Sequence, residues 1–292
     1  MNPRRIKGQS VVITGAASGI GEALALAFAA RGAHLLLADI NEAGLERVAA
    51  AARLVGATCH VRVVDTGSEE AVFELASHAL QTMGGTDFLI NNAGVGLVAP
   101  VQSIQSGDAQ WLMNINFWGV VHGCRAFLPQ LRERPDAVVV NMSSIFAMVS
   151  LPTQSMYNAS KAAVRAFSDS LRLELSGTSV SVLCVHPGGI KTEIANNSRV
   201  GDVSMIANTP EEMRKTFSRL ALTTPEQTAL KIVQAIEKRR TRLLVGHDAM
   251  VMDWMSRLFP ARASRWSNAF GQWLRARAQL RSERRRKNAP RP

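Results

Sequence analysis

The chain is poor in the residues that cross-link a protein or anchor it in a membrane. It has three cysteines in 292 residues, and none of them forms a CxxC or Cys/His spacing suited to zinc. We therefore expect no disulfide, no metal site and a reducing compartment, the cytoplasm. The polar first ten residues predict no secretory signal. The richest apolar stretch, residues 23–38, is broken by Arg31 and Gly32, so no membrane span, which needs about 18 or more apolar residues, is expected.

Negative charge is scarce at the C-terminal end. Residues 250–292 carry eleven Lys and Arg but only Asp253 and Glu283, a net charge of +9 out of +11 for the whole chain. The remaining residues therefore carry only +2. A basic balance spread over the whole surface would indicate a nucleic-acid-binding protein. Because the excess is confined to one end, we expect no nucleic-acid partner.

Short aliphatic and β-branched runs alternate with longer helical patterns over the first 245 residues. Runs that are apolar on both faces suit a parallel sheet covered on each side. The alternation predicts an α/β fold, a doubly wound, mostly parallel, seven-stranded Rossmann-like sheet with helices on both faces. Trp111 and Trp118 are expected in the buried face of their helix. Strands are predicted at 10–14, 34–39, 58–64, 87–91, 137–142, 180–186 and 242–245, and helices at about 19–31, 42–55, 68–83, 108–132, 157–176 and 226–239.

A glycine-rich turn follows the first predicted strand, in Thr14–Gly15–Ala16–Ala17–Ser18–Gly19–Ile20–Gly21. One glycine permits the tight turn, one lets backbone amides approach a pyrophosphate, and one lets helix and strand pack closely. The anion would lie at the positive end of the helix dipole. Such a turn alone is a weak signal, but its position between a strand and a helix strengthens the prediction of a dinucleotide site.

Asp39 ends the second predicted strand, 18 residues after Gly21. A carboxylate there can accept hydrogen bonds from ribose hydroxyls, and it repels a 2′-phosphate. The alternative is that Asp39 caps the helix that follows. No Arg or Lys adjoins it in the sequence, so we expect the cofactor NAD rather than NADP.

Tyr157 and Lys161 lie four residues apart on a predicted helix and therefore on one face of it. Tyr157 is the only tyrosine of the chain. A nearby ammonium stabilises a phenolate, and such a tyrosine can exchange a proton with a substrate oxygen near neutral pH. By itself, this spacing more often marks nothing beyond a helix face.

Four sequence blocks, in this order and spacing, resemble the compact branch of the short-chain dehydrogenase/reductase family over about residues 8–246. The resemblance implies an NAD(P)(H)-dependent oxidoreductase that interconverts an alcohol with a ketone or aldehyde by hydride transfer, with Tyr157 as general acid/base. The blocks are the glycine turn at 14–21, Asn91–Asn92–Ala93–Gly94, Ser143–Ser144 and Tyr157–Asn158–Ala159–Ser160–Lys161.

The resemblance also implies roles for single residues. Ser144, with Ser143 as the less favoured alternative, would hydrogen-bond the reacting oxygen. Asn116, with Asn114 as its alternative, would hold a water in a proton relay to the lysine. The implied catalytic set is Asn116, Ser144, Tyr157 and Lys161.

The implied cofactor-binding set surrounds the same place. Asp65 would touch the adenine, Asn91 would stabilise the central strands, and the segment after the sixth strand would contact the nicotinamide carboxamide. The set is Gly15, Ser18, Gly19, Ile20, Gly21, Asp39, Asp65, Asn91, Ala93, Gly94, Tyr157, Lys161, Pro187, Gly188 and Thr192.

The sequence is less informative about the substrate. Phe146, Val95 and the apolar members of the long connection 190–225 favour a lipophilic alcohol or ketone. One alternative is a 3-oxoacyl carrier-protein reductase, although that reaction generally uses NADPH, which Asp39 disfavours. The other is a dinucleotide-sensing binding protein without turnover, against which the intact catalytic set speaks. We also expect a homo-oligomer, a dimer or a tetramer.

The chain is predicted to form one Rossmann-like catalytic domain over residues 1–246 and a basic, amphipathic helical extension over 247–292, with residues 281–292 disordered. An apolar segment at 249–259 precedes a second one that contains Trp266, Phe270, Trp273, Leu274 and Leu280. The extension could pack on its own subunit or on a symmetric partner. It could also lie in a membrane interface or bind an acidic macromolecule.

Overall fold

A computed structural model describes residues 3–204, 206–207, 209–266 and 269 of the chain. Seven parallel strands form its central sheet, in the order β3-β2-β1-β4-β6-β7-β9. Two short strands, β5 and β8, pair in parallel outside this sheet. The nine strands are β1 Ser10–Thr14, β2 His34–Asp39, β3 Cys59–Val63, β4 Phe88–Asn91, β5 Leu97–Val98, β6 Ala137–Met142, β7 Val180–Pro187, β8 Arg199–Val200 and β9 Arg242–Val245.

The central strands are buried on both faces. All five residues of β1 and all six of β6 are buried. Because side chains alternate across a strand, Val11 and Ile13 join one apolar cluster and Val12 joins another on the opposite face. This explains why these strands are continuous apolar runs rather than alternating ones.

Helices cover both faces of the sheet, which confirms the predicted doubly wound fold. The first cluster takes side chains from α1, α2 and α8. The second cluster takes them from α3, α5 and α6. The helices are α1 Gly19–Ala29, α2 Glu42–Leu54, α3 Glu69–Met83, α4 Ser106–Met113, α5 Gly119–Arg132, α6 Ser155–Glu174, α7 Pro210–Leu220, α8 Pro225–Glu237 and α9 His247–Leu258.

The strand order reverses between β1 and β4. In an open α/β sheet, ligands bind outside the carboxyl ends of the strands at such a reversal. The glycine turn follows β1, and the Asn91–Gly94 segment follows β4. The fold therefore places the two segments side by side at the expected position of a site.

The structure departs from the predicted elements in two regions. The predicted helix 108–132 is α4 and α5 joined by a π-helical turn, Asn114–Trp118. The long connection 190–225 contains β8 and α7, and it packs a small apolar cluster that includes Val98, Val203 and Met213. Short elements of this kind lack a periodic signal long enough to read from sequence.

The prediction that Trp118 packs inside its helix is wrong. Its side chain is exposed and stacks on His122. Trp111 is partly exposed, and the Arg199 guanidinium lies 3.9 Å above its ring. A π turn inserted between the two tryptophans rotates the second one away from the core.

The C-terminal helix α9 packs on the end of the sheet. Ala249 is buried, and the Asp253 carboxylate pairs with Arg242 of β9 at 2.5 Å. In the described part of the chain, no helix has the length and apolarity needed to cross a membrane. The predicted second amphipathic segment lies outside the described residues from Phe270 onward, together with the predicted disorder at 281–292.

Candidate active site

The glycine turn after β1 leads directly into α1. Gly15 and Gly19 have φ angles of +65° and +57°, which favour glycine. A side chain on Gly21 would overlap the carbonyl oxygen of Gly15. The Ser18 side chain makes no capping hydrogen bond, so the first N–H groups of α1, at Gly19 and Ile20, are left for a ligand. The turn has the geometry of an anion site at a helix N-terminus.

Thr14 and Asn92 lock this turn to the end of β4. The Thr14 hydroxyl accepts hydrogen bonds from the backbone N–H groups of Asn92 and Ala93, both at 3.1 Å. The Asn92 amide donates to the Thr14 and Gly15 carbonyls, both at 3.0 Å. Neither side chain was predicted to belong to the site. The position of these two polar residues at the ends of β1 and β4 was the available signal in the sequence. The sequence alone could not show that the two side chains would bond to each other's segments.

Asp39 lies at the end of β2, facing the glycine turn. Its carboxylate accepts hydrogen bonds from Ala17 N at 3.1 Å and from Asn41 N at 3.0 Å. Asn41, not Asp39, caps α2, because its side chain accepts from Gly44 N. Each Asp39 oxygen keeps acceptor capacity for a ribose hydroxyl.

A guanidinium approaches the same turn from α2. Arg47 donates to the Ala17 carbonyl at 3.0 Å and forms an ion pair with Glu22. The sequence shows no basic neighbour of Asp39, yet the fold brings one close to the turn. Because Arg47 is paired with Glu22, its charge is largely compensated.

Asp65 and Asn91 occupy different environments. Asp65 is exposed after β3, where its carboxylate accepts a hydrogen bond from Gly67 N at 2.8 Å. Asn91 is buried, and its amide donates to Asn141 Oδ1 of β6 at 2.9 Å. Asn91 therefore joins two central strands, whereas Asp65 faces outward.

Gly94 marks the point where two members of the predicted catalytic set meet. A Cβ built on this glycine would lie 3.3 Å from Asn116 Oδ1 and 3.3 Å from Lys161 Nζ. Asn116 comes from the π turn and Lys161 from α6. Asn116 and Lys161, which are 45 positions apart in the sequence, thus both lie next to Gly94.

Asn116 is fully buried and clamps the backbone after β4. Its Oδ1 accepts from Val95 N at 2.8 Å, and its Nδ2 donates to Val95 O at 3.0 Å. The same amide donates to Ser160 Oγ at 3.2 Å. Asn114 instead accepts a hydrogen bond from Gln110 at 2.7 Å on the exposed side. The geometry favours Asn116 over Asn114.

The two serines after β6 have different partners. Ser143 Oγ donates to the backbone carbonyl of Lys161 at 2.8 Å. Ser144 Oγ accepts from Phe146 N at 3.2 Å, and this hydroxyl lowers the pKa of Tyr157. Ser143 is therefore committed to the backbone of α6, and Ser144 is the serine beside the phenol.

Tyr157 lies in the first turn of α6, and the Phe146 ring meets it edge-on, with centroids 6.4 Å apart. Burial raises the pKa of Tyr157 above its ordinary value, and the hydrogen bond with Ser144 opposes this rise. The phenol is therefore protonated in the cofactor-free protein at neutral pH.

Lys161 is buried, and its ammonium donates to the Met142 carbonyl at 3.1 Å. Burial lowers the pKa of Lys161 to about 8. Its Nζ lies 5.9 Å from the centre of the Tyr157 ring. The expected lowering of the Tyr157 pKa by this ammonium does not occur in the protein alone, because desolvation of the phenol dominates.

The segment after β7 closes over the glycine turn. A Cβ on Gly19 would lie 3.3 Å from Thr192 Cγ2, so Thr192 sits against the turn. Gly189 N donates to the Asp248 carboxylate at 2.6 Å, and a side chain on Gly188 would overlap that carboxylate. Asp248, from α9, was missed because 59 residues separate it from its partner.

His186 precedes Pro187, the last residue of β7, but it does not have the properties of a general base. It is buried, and desolvation lowers its pKa to about 4. Its Nδ1 has no hydrogen-bond partner among the described residues. The imidazole is neutral at physiological pH.

The residues at this edge of the sheet fit a dinucleotide. The glycine turn leaves no room for a side chain at Gly15 or Gly21, and it exposes N–H groups suited to a pyrophosphate. Asp39 lies on one side of the turn, and the pair Tyr157 and Lys161 lies beyond Gly94 on the other. A carboxylate for ribose hydroxyls and a hydroxyl–ammonium pair for the reacting end are thus separated by the phosphate cradle.

Comparison with known proteins agrees with this geometry. The short chain dehydrogenase family model matches residues 9–202. The chain is 38% identical over 259 residues to a Mycobacterium tuberculosis protein named as the oxidoreductase SadH, covering 86% of this chain and 91% of that one. It is 34% identical over 245 residues to dehydrogenase/reductase SDR family member 7B of Xenopus tropicalis, covering 81% and 76%. A solved short chain dehydrogenase/reductase from Burkholderia phymatum, in complex with NAD, superposes with a TM-score of 0.79 at 30% identity, covering 86% and 92%.

Proposed function

The chain belongs to the short-chain dehydrogenase/reductase family, and we propose that it is an NAD-dependent enzyme interconverting a lipophilic alcohol and its ketone or aldehyde. The observation that carries the proposal is the cluster of Ser144, Tyr157 and Lys161 beside Gly94. It joins a phenol, a hydroxyl and a buried ammonium next to a turn that fits a dinucleotide. The nicotinamide supplies the hydride chemistry when bound.

Tyr157 is the proton-transfer residue of the proposed reaction. In the reductive direction its hydroxyl gives a proton to the substrate oxygen, and in the oxidative direction its phenolate takes that proton back. Ser144, whose hydroxyl lowers the pKa of the phenol, can donate to the same substrate oxygen and hold it in line.

Lys161 and Asn116 support that proton transfer. The buried ammonium stabilises the phenolate once it forms, and in a low-dielectric site this stabilisation is larger than in water. Asn116 fixes the backbone at Val95 and the Ser160 hydroxyl through three hydrogen bonds. It thereby holds Gly94 against Lys161.

Asp39 supports NAD as the preferred cofactor. Its carboxylate lies where a 2′-phosphate would be held, and the repulsion disfavours NADP. The compensation of Arg47 by Glu22 removes a cation that would otherwise attract that phosphate.

Apolar side chains around the cluster support a lipophilic substrate. Phe146 packs on the Tyr157 ring. The 190–225 segment adds a small apolar cluster that includes Val203 and Met213. We propose that this segment, which is tied to the end of β4 through the pairing of β5 with β8, shapes the substrate pocket.

The chain is also proposed to act as a cytoplasmic homo-oligomer, with residues 1–246 as its catalytic domain. Trp118 and Leu173 are exposed apolar side chains near the start of α5 and on α6, which supports a protein interface on that side. All three cysteines are free thiols, which supports a reducing compartment. The molar mass by light scattering tests the oligomer.

Tyr157→Phe tests the proposed reaction. A panel of alcohols and ketones of rising chain length is assayed with NAD and NADH by the absorbance of the reduced cofactor. The variant should lose turnover by about 1,000-fold or more, because a phenyl ring has no proton to give. NAD affinity, measured by calorimetry, should change little. Turnover that survives in the variant would refute the role of Tyr157, and turnover of small polar sugars alone would refute the lipophilic substrate.

A further inference from the structure

The outward side of α9 carries a row of exposed apolar residues. They recur at the spacing of one helical face, and the most exposed, Trp254, keeps 68% of its surface accessible. Phe259 extends the row and packs on Trp266, with ring centroids 5.0 Å apart. We call this surface the α9 apolar face, and it consists of Met250, Val251, Trp254, Leu258 and Phe259.

The inward side of α9 is fixed, so the helix does not need its outward side to stay folded on the domain. Asp253 is buried and pairs with Arg242 at 2.5 Å and with Arg257 at 3.0 Å. Ser264 Oγ accepts a hydrogen bond from Ser150 N at 3.2 Å, next to the loop that carries Ser144. A contiguous apolar face on a well-anchored helix marks an interaction site.

Basic residues border the α9 apolar face. Arg257, Arg262 and Arg265 are exposed beside it. Residues 267–292, which follow in the sequence, add eight more Lys and Arg against one acidic residue, Glu283. An apolar helix face containing tryptophan, bordered by arginine, is the composition of a helix that lies in an anionic membrane interface.

The same charge argues against a second copy of the chain as the occupant. A two-fold contact would bring the same patch of both subunits together, so the exposed Arg257, Arg262 and Arg265 of one subunit would face those of the other. Like charges of this number repel at short range. Anionic lipid headgroups would instead neutralise them.

We propose that the α9 apolar face docks on the surface of a bilayer that contains anionic lipid. Trp254 and Leu258 enter the boundary between headgroups and acyl chains, and the arginines of the extension bind the headgroups. Because α9 touches the loop after β6, the docked face would hold the active-site loop close to the membrane surface. The proposal does not depend on the proposed reaction.

Vesicle flotation with the full-length protein tests the docking. Vesicles of phosphatidylcholine alone are compared with vesicles that also contain phosphatidylglycerol, at low and high salt. The wild-type protein should float with the anionic vesicles and not with the neutral ones. Its binding should weaken as salt rises, because salt screens the attraction of the arginines to the headgroups. Absence of binding to anionic vesicles at low salt would overturn the proposal.

Two variants separate the apolar contribution from the charge. Trp254→Ser with Leu258→Ser should weaken binding about tenfold or more, because it removes the inserted apolar surface. The matched control, Leu54→Ser with Val55→Ser, changes exposed apolar residues at the C-terminal end of α2, at the opposite edge of the sheet, and should bind as wild type. Arg284→Gln with Arg285→Gln, Arg286→Gln and Lys287→Gln should reduce the salt dependence.

The remaining outcomes also decide the matter. If the Trp254/Leu258 double variant binds anionic vesicles as tightly as wild type, the extension binds by charge alone and the α9 apolar face is not a docking surface. If that variant instead lowers the molar mass of the protein in solution, the α9 apolar face is covered by protein. The same conclusion holds if the wild-type protein does not float with any vesicle and the variant is less stable than the wild type. Quenching of the tryptophan fluorescence by lipids with brominated acyl chains, reduced in Trp254→Phe, would support insertion directly.

Discussion

The carboxylate of Asp248 accepts a hydrogen bond from the backbone N–H of Gly189 at 2.6 Å, linking the first turn of α9 to the segment after β7. A side chain on Gly188 would overlap the same carboxylate. The C-terminal helix, which carries the α9 apolar face, therefore also positions the segment proposed to contact the nicotinamide.

Asp248→Ala is expected to weaken NAD binding more than it slows the chemical step. A hydrogen bond to a charged group contributes about 1.5–3 kcal/mol, so the KM for NAD should rise by about tenfold while kcat falls by less. Steady-state kinetics measures both constants. Asp169→Ala, a surface aspartate of α6, is the control and should leave both unchanged. A fall in kcat that is larger than the rise in KM would contradict a positioning role.

Lys161 should set the alkaline limit of carbonyl reduction. Its pKa in the cofactor-free protein is about 8, below that of an ordinary lysine, so the ammonium is present below this pH and is lost above it. The Tyr157 pKa is raised, so the phenol keeps its proton over the same range. The value of kcat/KM for NADH, which reports the free enzyme, should be flat below about pH 8 and fall above it.

The Lys161→Arg variant checks the assignment of that alkaline limb. A guanidinium stays charged throughout, so any residual activity should retain its plateau to higher pH. If kcat/KM for NADH still falls near the same pH in this variant, a group other than Lys161 titrates there.

Asp39→Asn should relax the preference for NAD over NADP. The amide oxygen can still accept a backbone hydrogen bond, but the charge that repels a 2′-phosphate is gone. We expect the ratio of kcat/KM for NAD to that for NADP to fall by about tenfold or more, since one like-charge contact costs more than about 1 kcal/mol. Asp65→Asn, at the exposed end of β3, serves as the control and should keep the ratio. An unchanged ratio in Asp39→Asn would place the discrimination elsewhere.

A buried polar chain connects the central strands to α6. Asn141 accepts from Asn91 at 2.9 Å and donates to Ser168 Oγ at 3.0 Å. Asn141→Ala leaves the buried amide of Asn91 and the buried hydroxyl of Ser168 without this hydrogen-bond partner. It should lower the free energy of unfolding by about 2–4 kcal/mol. Asn41→Ala removes only the cap of α2, at a cost of about 1 kcal/mol. Urea titration measures both, and an equal cost in the two variants would contradict the network.

The order of elements could be predicted from the sequence, because each strand and helix carries its own periodic pattern. The runs 10–14, 34–39, 137–142 and 242–245 are strands with the predicted bounds. Parallel strands buried on both faces are continuous apolar runs, and the glycine turn has a local steric requirement that only glycine meets. The local signals therefore determined the fold class and where the dinucleotide site begins.

Three features depended on contacts between distant residues. The pairing of β5 with β8 joins two-residue strands whose partners lie about a hundred positions apart, too short to leave a pattern. Asp248 meets Gly189, and Arg47 meets Ala17, only because helices from other parts of the chain pack there. The protonation of Tyr157 likewise follows from its burial, which a spacing of four residues does not encode.

The sequence by itself determined the succession of strands and helices and the glycine turn, because these follow from local sterics and periodicity. Its resemblance to a family indicated the candidate reactive side chains. Tertiary structure decided which serine lies beside the phenol, which asparagine lies next to Gly94 with the lysine, and that the apolar residues of α9 remain uncovered by the described part of the domain. Those outcomes depend on packing between segments far apart in the chain, and the burial that packing creates sets the charges of the site.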